Sequence, residues 1–134
     1  MPADPLSPAG HAPPRGAYSP GVKIDLPGAR LLLTSGQLAR AADGSFVAPG
    51  DARKQTEFIF GLIGDILREG GMDFADIVRV QTYLTDMADF PKFREVRDRI
   101  LGAVKPASTL IEVKGLAHPE CCVEIEVTAL RRMP

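Results

Sequence analysis

The segment Val123-Glu124-Ile125-Glu126-Val127 places two carboxylates two residues apart inside an apolar alternation. Successive side chains of an extended strand point to opposite faces, so Glu124 and Glu126 share one face with Cys122 and Thr128, and Val123, Ile125, Val127 and Ala129 share the other. A carboxylate on a partly desolvated face titrates above its usual range, which suits it to take a proton from water and hand it to a leaving group. The plainer reading of Glu124 is a solvated strand glutamate, and Glu126 is read as structural. Cys121 and Cys122 are adjacent, so they point apart and make a poor disulfide pair. Glu120 raises the Cys122 thiol and no neighbouring Lys or Arg lowers it, which points to buried, reduced thiols. His11 and His118 have no second ligand at metal spacing and read as surface residues; no metal site is expected. Arg94, with Glu95, Arg97, Asp98 and Arg99, reads first as a solvated helix face.

The elements that must position these groups follow from periodicity. Residues 1–15 are rich in Pro, Ala and Gly with almost no large apolar side chain, so a flexible arm is expected there, followed by a single domain over 16–134. Val22, Ile24 and Leu26 alternate as a half-buried strand, Pro27-Gly28 turns the chain, and Arg30 to Ser35 forms a strand with apolar residues on both faces. After a turn at Asp43-Gly44, Ser45–Ala48 is expected to be a short extended piece. Phe58, Ile59, Leu62, Ile63, Ile66 and Leu67 recur at helical spacing within 51–69, and Gly70-Gly71 stops that helix. In the strand Ile77 to Leu84, Val78, Val80, Thr82 and Leu84 are expected on one side. Asp89 is the expected N-cap of a second helix, which turns Phe93, Val96, Ile100 and Leu101 inward and ends at Gly102. Two further strands are expected at Thr109–Val113 and Cys121–Leu130. Two helices can cover only one face of such a sheet, so the strand at 30–35 would bare an apolar face of the kind that marks an association surface.

Composition excludes several classes. The chain has 134 residues, enough for one domain with a sizeable core. Its 16 basic against 17 acidic side chains leave no net field to draw in nucleic acid or an acidic membrane. No apolar run approaches the roughly 20 residues needed to span a bilayer. The N-terminus lacks the basic start and apolar stretch of a secretory signal, so cytoplasmic residence is expected. No strand-to-helix glycine loop suggests a nucleotide site.

Six short motifs, in order and in register, carry a family resemblance: Tyr18-Ser19; Thr34-Ser35-Gly36-Gln37; Gln55-Thr56; Val80 to Leu84 with Asp86-Met87 and Phe90; Pro106-Ala107-Ser108-Thr109; and Val123-Glu124-Ile125-Glu126. From about Gly16 to Arg132 the chain resembles the Rid family, also called YjgF-type or L-PSP endoribonucleases. The resemblance implies an α+β, chorismate-mutase-like mixed sheet with two helices on one face. It also implies a homotrimer whose sheets form a central barrel, small-molecule clefts between subunits, and no metal or organic cofactor. Well-studied members hydrolyse reactive enamines and imines to a carbonyl compound and ammonia. Carried over by position, Tyr18 matches the cleft tyrosine, Ser35 and Gly36 line the cleft, and Glu124 matches the acid that orients water. Where deaminating members read Pro-Ala-Arg-Ser, with the arginine pairing a substrate carboxylate, this chain has Ser108. One hydroxyl replaces a fork of donors and cannot pair a carboxylate bidentately.

The resemblance therefore points to a cofactor-free deaminase whose substrate differs from 2-aminoacrylate, with Ser108 as a neutral contact. Arg94 stands where many relatives carry a cleft asparagine and could restore the lost guanidinium. Leu110 stands at the usual cleft cysteine, which would leave Cys122 as a substitute. The alternative function is a non-catalytic trimer that binds a metabolite or regulates a partner. RNA cleavage, suggested by the family's older name, runs against the balanced charge and the aromatic content of 6%.

Overall fold

The structure, a computed structural model, describes residues 3–134. Its elements run β1 (Asp4–Leu6), β2 (Gly21–Leu26), β3 (Ala29–Thr34), α1 (Ala52–Glu69), β4 (Ile77–Leu84), α2 (Phe90–Leu101), β5 (Ala107–Glu112) and β6 (Val123–Arg132). The strands form one mixed sheet in the order β1-β2-β3-β6-β4-β5. Only β4 and β5 are parallel, and α2 makes the crossover that parallel neighbours require.

The Asp51 side chain accepts from the Lys54 N–H at the start of α1, and Gly70 closes the other end. Ile59, Phe60, Ile63, Ile66 and Leu67 of this helix meet Phe93, Val96 and Leu101 of α2 over Leu32, Val80, Leu84, Val123, Ile125, Val127 and Ala129 of the sheet. Each such side chain contributes about 1.5–3 kcal/mol on leaving water, so the shared apolar face holds both helices on one side. The opposite face stays uncovered in the single chain. There Leu31 lies across from Ile24 and Leu130, and Leu33 across from Val22, with Leu33 37% and Leu130 42% exposed. Among the described residues no helix is long and apolar enough to cross a membrane.

Four expectations need correction. The arm is not structureless throughout: Asp4–Leu6 pair with β2, and Leu6 is buried against the core. A single apolar anchor plus edge pairing orders the segment, a signal too small to register in composition; Met1 and Pro2 lie outside the described residues. In β4 it is Ile77, not Val78, that faces the core, because the register with β6 shifts between Ile77 and Arg79 and turns Val78 outward. Ser45–Ala48 forms no strand, only an isolated bridge between Arg40 and Phe46. Asp89 occupies the cap position of α2 without a side-chain cap bond; the capping carboxylate is Asp86, one 3-10 turn earlier.

Candidate active site

The site begins where the β3–β6 ladder opens. Leu33 still pairs with Thr128, and the next backbone pair is Gln37 with Ile125, bonded in both directions at 2.8 and 3.2 Å. Three residues on one side thus face two on the other, and the surplus bulges out as Ser35-Gly36. Thr34 covers the gap: its Oγ1 accepts from the Val127 N–H at 3.0 Å, so no buried donor is stranded. The bulge brings the Gly36 backbone against the Glu124 side chain. A Cβ at Gly36 would stand 2.5 Å from Glu124 Oε2, so only glycine permits this approach.

Glu124 is half-buried on the uncovered sheet face and accepts no hydrogen bond from the described residues. Burial first, and the neighbouring Glu126 charge second, push its carboxyl above the ordinary glutamate range. Glu126 is occupied differently, accepting from the Tyr83 hydroxyl at 2.8 Å, which raises the Tyr83 pKa. The two carboxylates of one strand face are thereby separated into a tethered one and a free one.

Tyr18 and Ser35 join this cluster. The Ser35 hydroxyl donates to the Ser19 carbonyl at 2.6 Å and its N–H to the Pro20 carbonyl at 2.9 Å, so Ser35 ties the Tyr18 segment to the bulge. The Tyr18 ring, 55% exposed, borders a small open hollow together with Gly36, Gln37, Arg40, Leu62 and His11. Ser108 and Arg94 lie elsewhere. Ser108, exposed on β5, borders a separate hollow with Arg97, Asp98 and Lys105. The Arg94 guanidinium instead sits 5.4 Å from the centre of the Phe90 ring.

Two expectations fail locally. Cys122 does not share the Glu124 face: it precedes β6, and its N–H and Sγ both donate to the Gln55 Oε1 on α1, at 3.0 and 3.2 Å. Burial pushes the Cys121 and Cys122 thiols up to about 11. His11 is not a surface residue: its side chain is 11% exposed and its Nε2 lies 2.8 Å from Asp65 Oδ2. Gln55, quoted in a motif but given no role, is fully buried and donates to the carbonyls of Val47, Ala48 and Glu120. It fastens the entry of β6, and so Glu124, to α1. A glutamine on the inward face of α1, one turn before Ile59, is the sequence signal that could have found it. Among the described residues no group of three His, Cys, Asp or Glu converges as metal ligands would.

Comparison with known proteins matches residues 9–131 to the family model described as Endoribonuclease L-PSP. The 3-aminoacrylate deaminase RutC of Acinetobacter baylyi is 30% identical, covering 96% of this chain and 98% of its own. The chain belongs to the L-PSP, or Rid, family. Another member, the 2-iminobutanoate/2-iminopropanoate deaminase of Rattus norvegicus, is 28% identical over 87% of this chain and 81% of its own. The crystal structure of yeast Mmf1 superposes with a TM-score of 0.87 at 27% identity, covering 97% and 99% of the two chains. The α+β sheet with two helices on one face is therefore the L-PSP fold, and the family includes enamine and imine deaminases.

Proposed function

We propose that the protein is a cofactor-free deaminase that hydrolyses reactive enamines or imines, with Glu124 as its acid–base group. The observation that supports this most is the Glu124 carboxyl: half-buried, unpartnered, shifted upward, and seated on the Gly36 backbone. Such a group fits both halves of the reaction. As carboxylate it takes a proton from water while the water oxygen bonds to the carbon of the protonated imine and the C=N electron pair moves to nitrogen, giving a neutral carbinolamine. As carboxylic acid it then gives that proton to the amine; the hydroxyl proton passes to the carboxylate as the C=O bond forms and the C–N bond breaks, and a carbonyl compound and ammonia leave, the ammonia taking the last proton as ammonium. An enamine joins the same path once its carbon terminus is protonated to the imine. The Gly36 N–H, which makes no hydrogen bond to the described residues, donates to the polar end of the substrate, and the Tyr18 ring shields it.

The apolar uncovered face supports a homotrimer in which neighbouring sheets pack together, so that Tyr18, Ser35, Gly36 and Glu124 of one copy meet Ser108 of the next. Ser108 then offers a neutral contact where an arginine would have held a carboxylate on the reacting carbon, which supports a substrate other than 2-aminoacrylate. A panel of imines generated in situ by amino-acid and amine oxidases, and 2-aminoacrylate from a dehydratase, tests the reading by the rate of carbonyl formation. Acceleration of at least one imine, lost by roughly 10²–10⁴-fold in Glu124→Gln, is the expected result. No acceleration of any, or full activity in Glu124→Gln, refutes it. Light scattering that finds a stable monomer refutes the cleft between copies.

A further inference from the structure

We propose that the hollow between the N-terminal arm and the Gly36–Arg40 segment is an anion site, in which Arg40, assisted by Arg15, holds a carboxylate of the substrate. Arg40 borders this hollow, and its Nε is fully buried with no hydrogen-bond partner among the described residues. A buried N–H without an acceptor is rare in folded proteins and marks a place where a ligand or water completes the site. The rest of the guanidinium is only partly engaged: one terminal nitrogen donates to the Pro13 carbonyl at 3.2 Å. Arg15 meets Arg40 at Gly44, a residue outside the lining of the hollow. Its terminal nitrogen lies 3.3 Å, and that of Arg40 3.8 Å, from the point where a Gly44 Cβ would stand.

Two guanidinium groups converging on one glycine repel each other unless an anion lies between them. Among the described residues neither has a carboxylate within ion-pair distance. Asp43, the acid of that turn, is directed to the Ser45 N–H and hydroxyl at 2.9 and 2.6 Å instead. The arm wall is fixed by the His11 bond to Asp65, and the far wall is Tyr18, Pro20 and Gly36. Gly36, one wall of the hollow, is also the residue against which the Glu124 carboxyl rests. A planar fork of donors is suited to a carboxylate.

The identity of the ligand as substrate rests on the hydrolase reading; the binding of a carboxylate does not. Calorimetric titration at low ionic strength with 2-hydroxybutanoate, 4-hydroxybutanoate and, as the uncharged counterpart, 1-butanol separates the two. At least one acid should bind tenfold or more tightly than 1-butanol, and Arg40→Gln should remove at least tenfold of that affinity. Arg15 makes no hydrogen bond to the described residues, so Arg15→Gln reports on charge alone should Arg40→Gln loosen the arm, and a loss of several-fold is expected there. Binding that persists in Glu124→Gln, where hydrolysis is lost, keeps the site and the chemistry distinguishable. If neither acid outbinds 1-butanol in the unaltered protein, or both arginine variants bind as it does, the anion site is refuted.

Discussion

The close approach of Glu124 to Gly36 gives the sharpest prediction. Gly36→Ala would put a Cβ 2.5 Å from Glu124 Oε2 and 2.8 Å from its Cδ, where ordinary contact begins at 3.4 Å. The carboxyl must retreat by the difference, about 0.9 Å. It can do so, because it is half-exposed and accepts no hydrogen bond, so the side chain yields before the backbone does. Gly36 does not occupy the left-handed region, and alanine there restricts the unfolded chain, offsetting part of the strain with about 0.4–1 kcal/mol. Melting temperature should therefore move by only a few degrees, whereas displacing a reacting group by about 1 Å costs on the order of 100-fold in rate. The assay is carbonyl formation from an in-situ imine by Gly36→Ala, Glu124→Gln and the double variant. If the alanine acts through the carboxyl, it adds less than about threefold in the Glu124→Gln background. A Gly36→Ala enzyme at full rate, or one whose loss is the same with and without Glu124, refutes the placement.

Other perturbations probe the surrounding groups. Because the folded-state pKa of Glu124 is raised, its protonated form favours folding at low pH, and that contribution is lost as pH rises through the folded value; Glu124→Gln, which stays neutral, should melt above the unaltered protein at pH 7 and converge with it below the ordinary glutamate range. The Thr82 hydroxyl is buried without a partner among the described residues, so Thr82→Val should stabilise by about 1 kcal/mol, seen as a rise of a few degrees in a calorimetric melt. With both thiols pushed up to about 11 and buried, Cys121 and Cys122 should resist alkylation by iodoacetamide at pH 8 for hours and react promptly in guanidinium, as read by mass spectrometry. Ser108→Arg should raise kcat/KM on 2-aminoacrylate tenfold or more by supplying a bidentate partner for its carboxylate; an unchanged value would place Ser108 outside the cleft.

The fold was legible wherever burial imposed a period. The α1 face, the β6 alternation and the apolar second side of β3 each repeat often enough to be read from residue types, and the structure places Ile59, Ile125 and Leu33 where the pattern puts them. It was illegible where a single irregularity resets the count. A bulge at Val78 reverses the facing of one residue, and the extra residue at Ser35-Gly36 is what makes the site; neither alters composition or periodicity enough to be seen in one sequence. Strand alternation extended two residues too early also put Cys122 beside Glu124, although β6 begins only at Val123. Of the candidate residues, those on the bulge and on β6 come together because backbone bonds join their segments, while Ser108 and Arg94 sit on β5 and α2, across the sheet.

That separation bears on how such a subunit works. In the sheet order, β3 and β6 are central and β5 is an edge, so no motion within one chain can carry Ser108 to Glu124 without breaking the ladders of β4 with both its neighbours. A site using both would have to be completed by a second copy, and Leu31, Leu33 and Leu130 form an apolar stripe on the Glu124 face where the proposed trimer would pack. A site completed from the same chain must instead draw on what the arm brings. His11 and Arg40 border the same hollow as Gly36, and Arg15 meets Arg40 at Gly44, outside its lining. On the proposed anion site, the contact that an arginine on the edge strand would supply from a neighbouring copy is supplied instead by Arg40, within the chain that carries Glu124.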